Sequence, residues 1–180
     1  MLRSLRRGQV GALLAAPALI ALFILPAYSG GARVIDGTGT PMKWDTSSPV
    51  AYHPDQGSLG SLDNAAADAL VADAFSRWQG VPLATLSFTA GPELPYDVNA
   101  ASIPADNPAH WAHFWRVSGD GLSPVIFDAD GSILDDMFGA GARFDLLGVA
   151  GLDTPLSVAG TITEASIVIN GAFYDGIGLP

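Results

Sequence analysis

The residues best equipped for chemistry lie between positions 128 and 136, where the chain reads Asp128-Ala129-Asp130-Gly131-Ser132 and continues to Asp135 and Asp136. Aspartates alternating on a turn can bring two carboxylates and a backbone carbonyl onto one hard cation, and a glycine permits the sharp bend. Asp128 and Asp130 are therefore candidate calcium ligands. The pattern is not an EF-hand, because a third oxygen-bearing residue before the glycine and a closing glutamate are missing. An acidic turn at a strand end accounts for the same residues without a metal.

Three histidines offer a second chemistry: His53, His110 and His113. The i, i+3 spacing of His110 and His113 could share a zinc ion on a helical turn, but an isolated H-x-x-H is common by chance. The neighbouring Trp111, Phe114 and Trp115 favour a packed aromatic surface loop there. His53, at a strand end, is most simply structural. No serine sits in a G-x-S-x-G elbow, so nucleophilic catalysis has no positive support. Gly139-Ala140-Gly141 runs into Ala142-Arg143 without the third glycine or acidic partner of a dinucleotide loop, and no phosphate loop is present.

The elements that must position these groups follow from periodicity. Residues 61–79 place Ala67, Leu70, Val71, Ala74, Phe75 and Trp78 on one helical face, with Asp68, Asp73 and Arg77 on the wet side. Ser61, Asp63 and Asn64 are good N-cap types, and Asp in the early turns suits the positive end of the helix dipole. Gly80 and Pro82 stop the helix, and Leu86 and Phe88 then alternate as a strand. Val50, Ala51, Tyr52 and His53 make a short strand closed by a plain turn at Pro54-Asp55-Gln56-Gly57. Residues 91–121 form a long irregular stretch, a length at which loops usually carry function. The run Pro124-Val125-Ile126-Phe127 is a central strand, residues 132–138 a short helical segment, residues 146–150 a further strand, and residues 163–170 the clearest late strand, with Ile167 and Ile169 facing one way. The fold class is α+β, one long amphipathic helix on a mixed sheet. One helix covers one face, and the domain looks unfinished.

Composition narrows the function. Of 180 residues, 18 are acidic, 16 of them Asp, against 8 basic. Three of the basic residues (Arg3, Arg6, Arg7) lie near the start; without them five face 18, a formal charge of −13. That argues against nucleic acid, whose binding rests on phosphate neutralisation. The absence of cysteine removes disulfide and thiolate chemistry. Residues 1–30 pair a positive start with an 18-residue apolar run over positions 10–27, which reads as a signal peptide or an N-terminal membrane anchor. Residues 31–48 have linker composition, with Trp44 folding back, and the domain begins at residue 49.

Ala74-Phe75-Ser76-Arg77-Trp78, followed by Val81, Leu83, Leu86 and Phe88, resembles the first helix and second strand of the matrixin-type zinc metallopeptidases. Residues 124–131 are similar to the strand and calcium-bearing turn that follow there, and residues 163–170 to the strand before the active-site helix. The resemblance implies a zincin-like sheet, calcium at Asp128 and Asp130, zinc as catalytic cofactor, and a protein or peptide substrate. The family's H-E-x-x-H-x-x-G-x-x-H, which supplies zinc ligands and a general base, is absent. The expectation is therefore the amino-terminal scaffold of a secreted zinc endopeptidase, cut short before its active-site helix and inactive as this chain. The alternative is a complete, non-catalytic, calcium-stabilised extracellular module that binds through Trp111, Phe114 and Trp115.

Overall fold

The computed structural model describes residues 39–101, 110–153 and 160–173. The chain parts after Arg33 into two units, and every described residue belongs to the second. The expected export segment thus lies outside the described residues. Among those described, no helix is long and apolar enough to cross a membrane.

The strands are β1 (Lys43–Trp44), β2 (Val50–Pro54), β3 (Phe88–Ala90), β4 (Pro124–Asp128), β5 (Gly148–Leu152), β6 (Thr161–Ile162) and β7 (Ala165–Asn170), and the α-helices are α1 (Asn64–Gln79), α2 (Ser132–Phe138) and α3 (Ala142–Asp145). Five strands form one mixed sheet in the order β3-β2-β4-β7-β5. The first four run parallel, and β5 lies antiparallel to β7. The remaining two strands, β1 and β6, pair in parallel beside it. The end of the expected linker is therefore a strand, and Trp44 returns to line a cavity of about 170 Å³ with Tyr52, Phe75 and Phe88.

Period two divides the core. Val125 and Phe127 on β4 join Tyr52, Leu59, Ala67 and Val71 on the α1 side of the sheet. Ile126 and Val168 point to the opposite side, into Leu94, Val98, Phe114, Ile133 and Leu134. All five residues of β4 are buried, which is why this strand reads as a continuous apolar run. Leu94, Val98 and Phe114 come from the long irregular stretch, so much of that stretch covers the second face of the sheet.

The helix begins and ends near where its sequence says, with Asp63 capping the Ala66 N–H and Gly80 closing the last turn. Its first turn carries no acidic residue; the dipole is met by the Asp63 cap alone. Its apolar stripe is less buried than expected. Only Ala67 and Val71 are fully covered; Leu70 and Phe75 are half-buried, Ala74 is exposed, and Trp78 is 69% exposed. Length explains this. Sixteen residues of helix span roughly 24 Å, whereas the three-residue β3 beneath its end spans roughly 10 Å. The last turns outrun the sheet. The stacked rings of Tyr52 and Phe75, 4.3 Å between centroids, and Phe75 against Phe88 at 4.6 Å mark where the contact ends. Asp68, expected on the wet side, turns partly inward, and its Oδ1 is buried without a hydrogen-bond partner among the described residues. Burial is the main reason that its carboxyl titrates above the ordinary range.

The end of β2 is fixed by Asp55, which is fully buried. Its N–H donates to the Val125 carbonyl at 3.0 Å. Its Oδ2 accepts from Phe127 N–H at 3.0 Å, and its Oδ1 accepts from Val98 N–H at 2.9 Å and Gln56 N–H at 2.8 Å. The side chain thereby continues the β2–β4 ladder one step past the strand and ties the long loop to it. The turn that reads as plain in sequence is an anchor. Replacing Asp55 by Asn sets an amide N–H against one of these backbone N–H groups, leaving buried donors unpaired. Urea unfolding of Asp55→Asn at pH 7 should show a loss of about 3 kcal/mol; a loss below about 0.5 kcal/mol would show that the carboxylate does not hold this junction.

Candidate functional site

The Asp128 turn leaves β4 at its carboxyl end and feeds α2. Gly131 sits at φ +79°, a left-handed conformation suited to glycine, and an added Cβ would lie 2.5 Å from the Cβ of Arg143. Asp128 is buried, and both its oxygens point back at the new helix: Oδ1 accepts from Ile133 N–H at 3.1 Å and Oδ2 from Leu134 N–H at 2.9 Å. Burial raises its carboxyl above the ordinary value, and those two hydrogen bonds work against the rise. Asp130 is exposed, with Oδ1 accepting from Ser132 N–H at 2.9 Å. Its carboxyl lies below the ordinary range, chiefly through hydrogen bonding to Ser132.

The resemblance implies calcium here, and the donor set does not fit it. Calcium takes six to eight oxygens, while both Asp128 oxygens and Asp130 Oδ1 are engaged by backbone N–H groups. The Asp130 carbonyl accepts from Arg143 Nη1 at 2.8 Å. Asp135, on α2, accepts from Arg143 N–H at 3.0 Å, from Gly141 N–H at 3.1 Å, and from Arg143 Nε at 2.7 Å. Those contacts, led by the Arg143 N–H, hold the Asp135 carboxyl low. Among the described residues no three His, Cys, Asp or Glu side chains converge as metal ligands.

The other candidates separate. His53 is buried at the end of β2, and its Nδ1 accepts from Ser123 N–H at 3.0 Å, a structural use. His110 and His113 lie on a 3-10 turn, His110–His113. The His110 side chain is outside the described residues, and His113 Nε2 is buried without a hydrogen-bond partner among them. The aromatic residues are not a free binding face. Phe114 is buried, Trp111 and Trp115 pack against the same cluster, and Trp111 Nε1 donates to Asp136 at 2.8 Å.

Sequence reasoning passed over a third buried carboxylate. Asp153, directly after β5, is 4% exposed. Its Oδ1 accepts a hydrogen bond from Ser166 Oγ, and its Oδ2 has no partner among the described residues. Burial first, then the nearby Asp120 and Glu164, push it up to about 6, against the pull of Ser166 and Arg116. Glu164, buried beside it, accepts from Gly119 N–H at 2.6 Å and Gly121 N–H at 2.9 Å and so curls the loop before β4. Asp55, Asp128 and Asp153 share one sequence signal: each ends or directly follows an apolar strand. Comparison with family models, with curated proteins and with solved structures finds no match.

Two of these groups set a pH dependence. Burial raises Asp55 to about 6, as it does Asp153, from an ordinary 3.8. Between those values the folded chain binds more protons than the unfolded one, so stability falls as pH rises from about 4 to about 6 and is level above. Thermal unfolding should therefore show the protein more stable at pH 5 than at pH 7.5 by about 2 kcal/mol, and Asp153→Asn should remove about half of the difference. Greater stability at pH 7.5 would contradict this.

Proposed function

We propose that residues 49–180 are the amino-terminal scaffold of an exported, zinc-dependent endopeptidase of matrixin type, and that this chain by itself does not hydrolyse peptide bonds. The observation that carries the reading is the uneven cover of β7. Its Ser166, Val168 and Asn170 are buried, while Ile167 and Ile169, on the α1 side, are only half-buried. Ala150, paired with Ile167 across the β5–β7 ladder, is exposed. A second helix that follows β7 and lies beside α1 would cover this strip, as an apolar sheet face requires. That is the place the resemblance gives to the helix bearing H-E-x-x-H. The order of strand, helix, parallel strand, central strand, antiparallel strand and last strand supports the same reading.

When bound, zinc would lower the pKa of a water molecule and polarise the scissile carbonyl. The residues described here do not supply its ligands. Their part is to hold the exit from β7 in one position. Asn170 Nδ2 donates to the carbonyls of Arg143 and Leu146, both at 2.7 Å, and Asn170 Oδ1 accepts from Ala172 N–H at 3.0 Å. Gly171 is locked next to it, since an added Cβ would lie 2.4 Å from the Gly60 nitrogen and 2.6 Å from the Ala129 carbonyl oxygen. Whatever follows Phe173 leaves from a fixed point between the Asp128 turn and the start of α1.

Two measurements test the proposal. The purified chain should leave casein intact with zinc present, and chelator-sensitive cleavage would refute its inactivity. The coding sequence beyond Pro180 should contain an in-frame H-E-x-x-H within a few dozen codons. An immediate stop codon, with a stably folded product, would instead favour the non-catalytic module.

A further inference from the structure

We infer that the guanidinium of Arg143 occupies the role in the Asp128 turn that a bound calcium ion would otherwise fill, so that this turn is held by an internal cation and is indifferent to calcium. The inference rests on the geometry of the turn and stands apart from the peptidase reading.

Three aspartates face this turn, Asp128, Asp130 and Asp135, and Arg143 lowers the carboxyl pKa of each. The guanidinium touches two of the groups a cation would need. Its Nη1 reaches the Asp130 carbonyl at 2.8 Å and its Nε reaches Asp135 Oδ2 at 2.7 Å. The arginine is held from both ends. Its own N–H is bound by Asp135 Oδ1, and its carbonyl accepts from Asn170. The stem then lies against Gly131, at a distance only glycine tolerates. The Arg143 and Asp135 side chains are 28% and 19% exposed, so the pair is sheltered from much of the screening that weakens surface ion pairs. A planar fork that donates to a carbonyl and a carboxylate together is what arginine provides and lysine does not. A calcium ion would have to displace it and also draw Asp128 off two backbone N–H groups.

The test is thermal unfolding of the full chain in 5 mM EDTA and in 5 mM calcium chloride, for the wild type, Asp130→Asn and Arg143→Gln, these concentrations spanning roughly the weak end of protein calcium sites. The calcium response of the wild type should be unchanged by Asp130→Asn to within about 1 °C. Arg143→Gln should unfold about 5 °C lower in EDTA and regain part of the loss in calcium, because three carboxylates are then left without a counter-charge. A calcium-induced rise in the wild-type midpoint that Asp130→Asn abolishes would overturn the inference. So would an Arg143→Gln midpoint equal to that of the wild type. Should Arg143→Gln fail to fold, the wild type and Asp130→Asn still decide it.

Discussion

A buried carboxylate with its hydrogen bonds filled by backbone N–H groups is what the rest of this sheet depends on. Asp55 carries the β2–β4 ladder one step beyond β2 and fastens the long loop at Val98 to the same oxygen. Without that carboxylate the buried Phe127 and Val98 N–H groups would lose their acceptor. Burying a charge is costly, and the raised pKa of Asp55 shows the cost. The donors offset it, and the loop that brings Leu94 and Val98 onto one face of the sheet is held in place.

The same device recurs at the carboxyl ends of two other strands, with different partners. Asp128 takes the Ile133 and Leu134 N–H groups in the first turn of α2, acting as its cap across a glycine turn. Asp153 has Ser166 on one oxygen and, among the described residues, no partner on the other. The three differ in how completely their lone pairs are met, yet burial raises the carboxyl of each above its ordinary value. This also explains why an Asp-rich composition need not mean metal binding. Part of the acid in this chain is structural, and Arg143 supplies charge that a cation could have supplied.

Much of the framework was legible in the residues. Period two in residues 163–170, the apolar run of β4 and the Gly80-Pro82 exit are local patterns, and they give the mixed sheet with α1 laid on it. What the residues could not show is long-range. That Leu94, Val98 and Phe114 belong to the core depends on where a loop returns, which no local period records. That Trp78 is exposed depends on the shortness of β3 beneath it, a property of another segment. Ile167 and Ile169 share a side of β7, as the period-two pattern expects, while the fully buried side carries Val168 with the polar Ser166 and Asn170, admitted because their hydrogen bonds are met. The Asp128 turn was placed correctly in the chain, while its chemistry was set by Arg143, 13 residues further on. The peptidase reading rests on the order of elements and on the strip of β7 left half-covered beside α1.

Native-state hydrogen exchange at the Val98 and Phe127 amides examines the Asp55 junction most directly. If the carboxylate holds both, these two N–H groups exchange only through global unfolding, with the slowest rates of the core strands. Exchange of Val98 as fast as that of an exposed turn amide such as Ala84, with Phe127 still protected, would mean that the loop opens on its own and that Asp55 does not bind it.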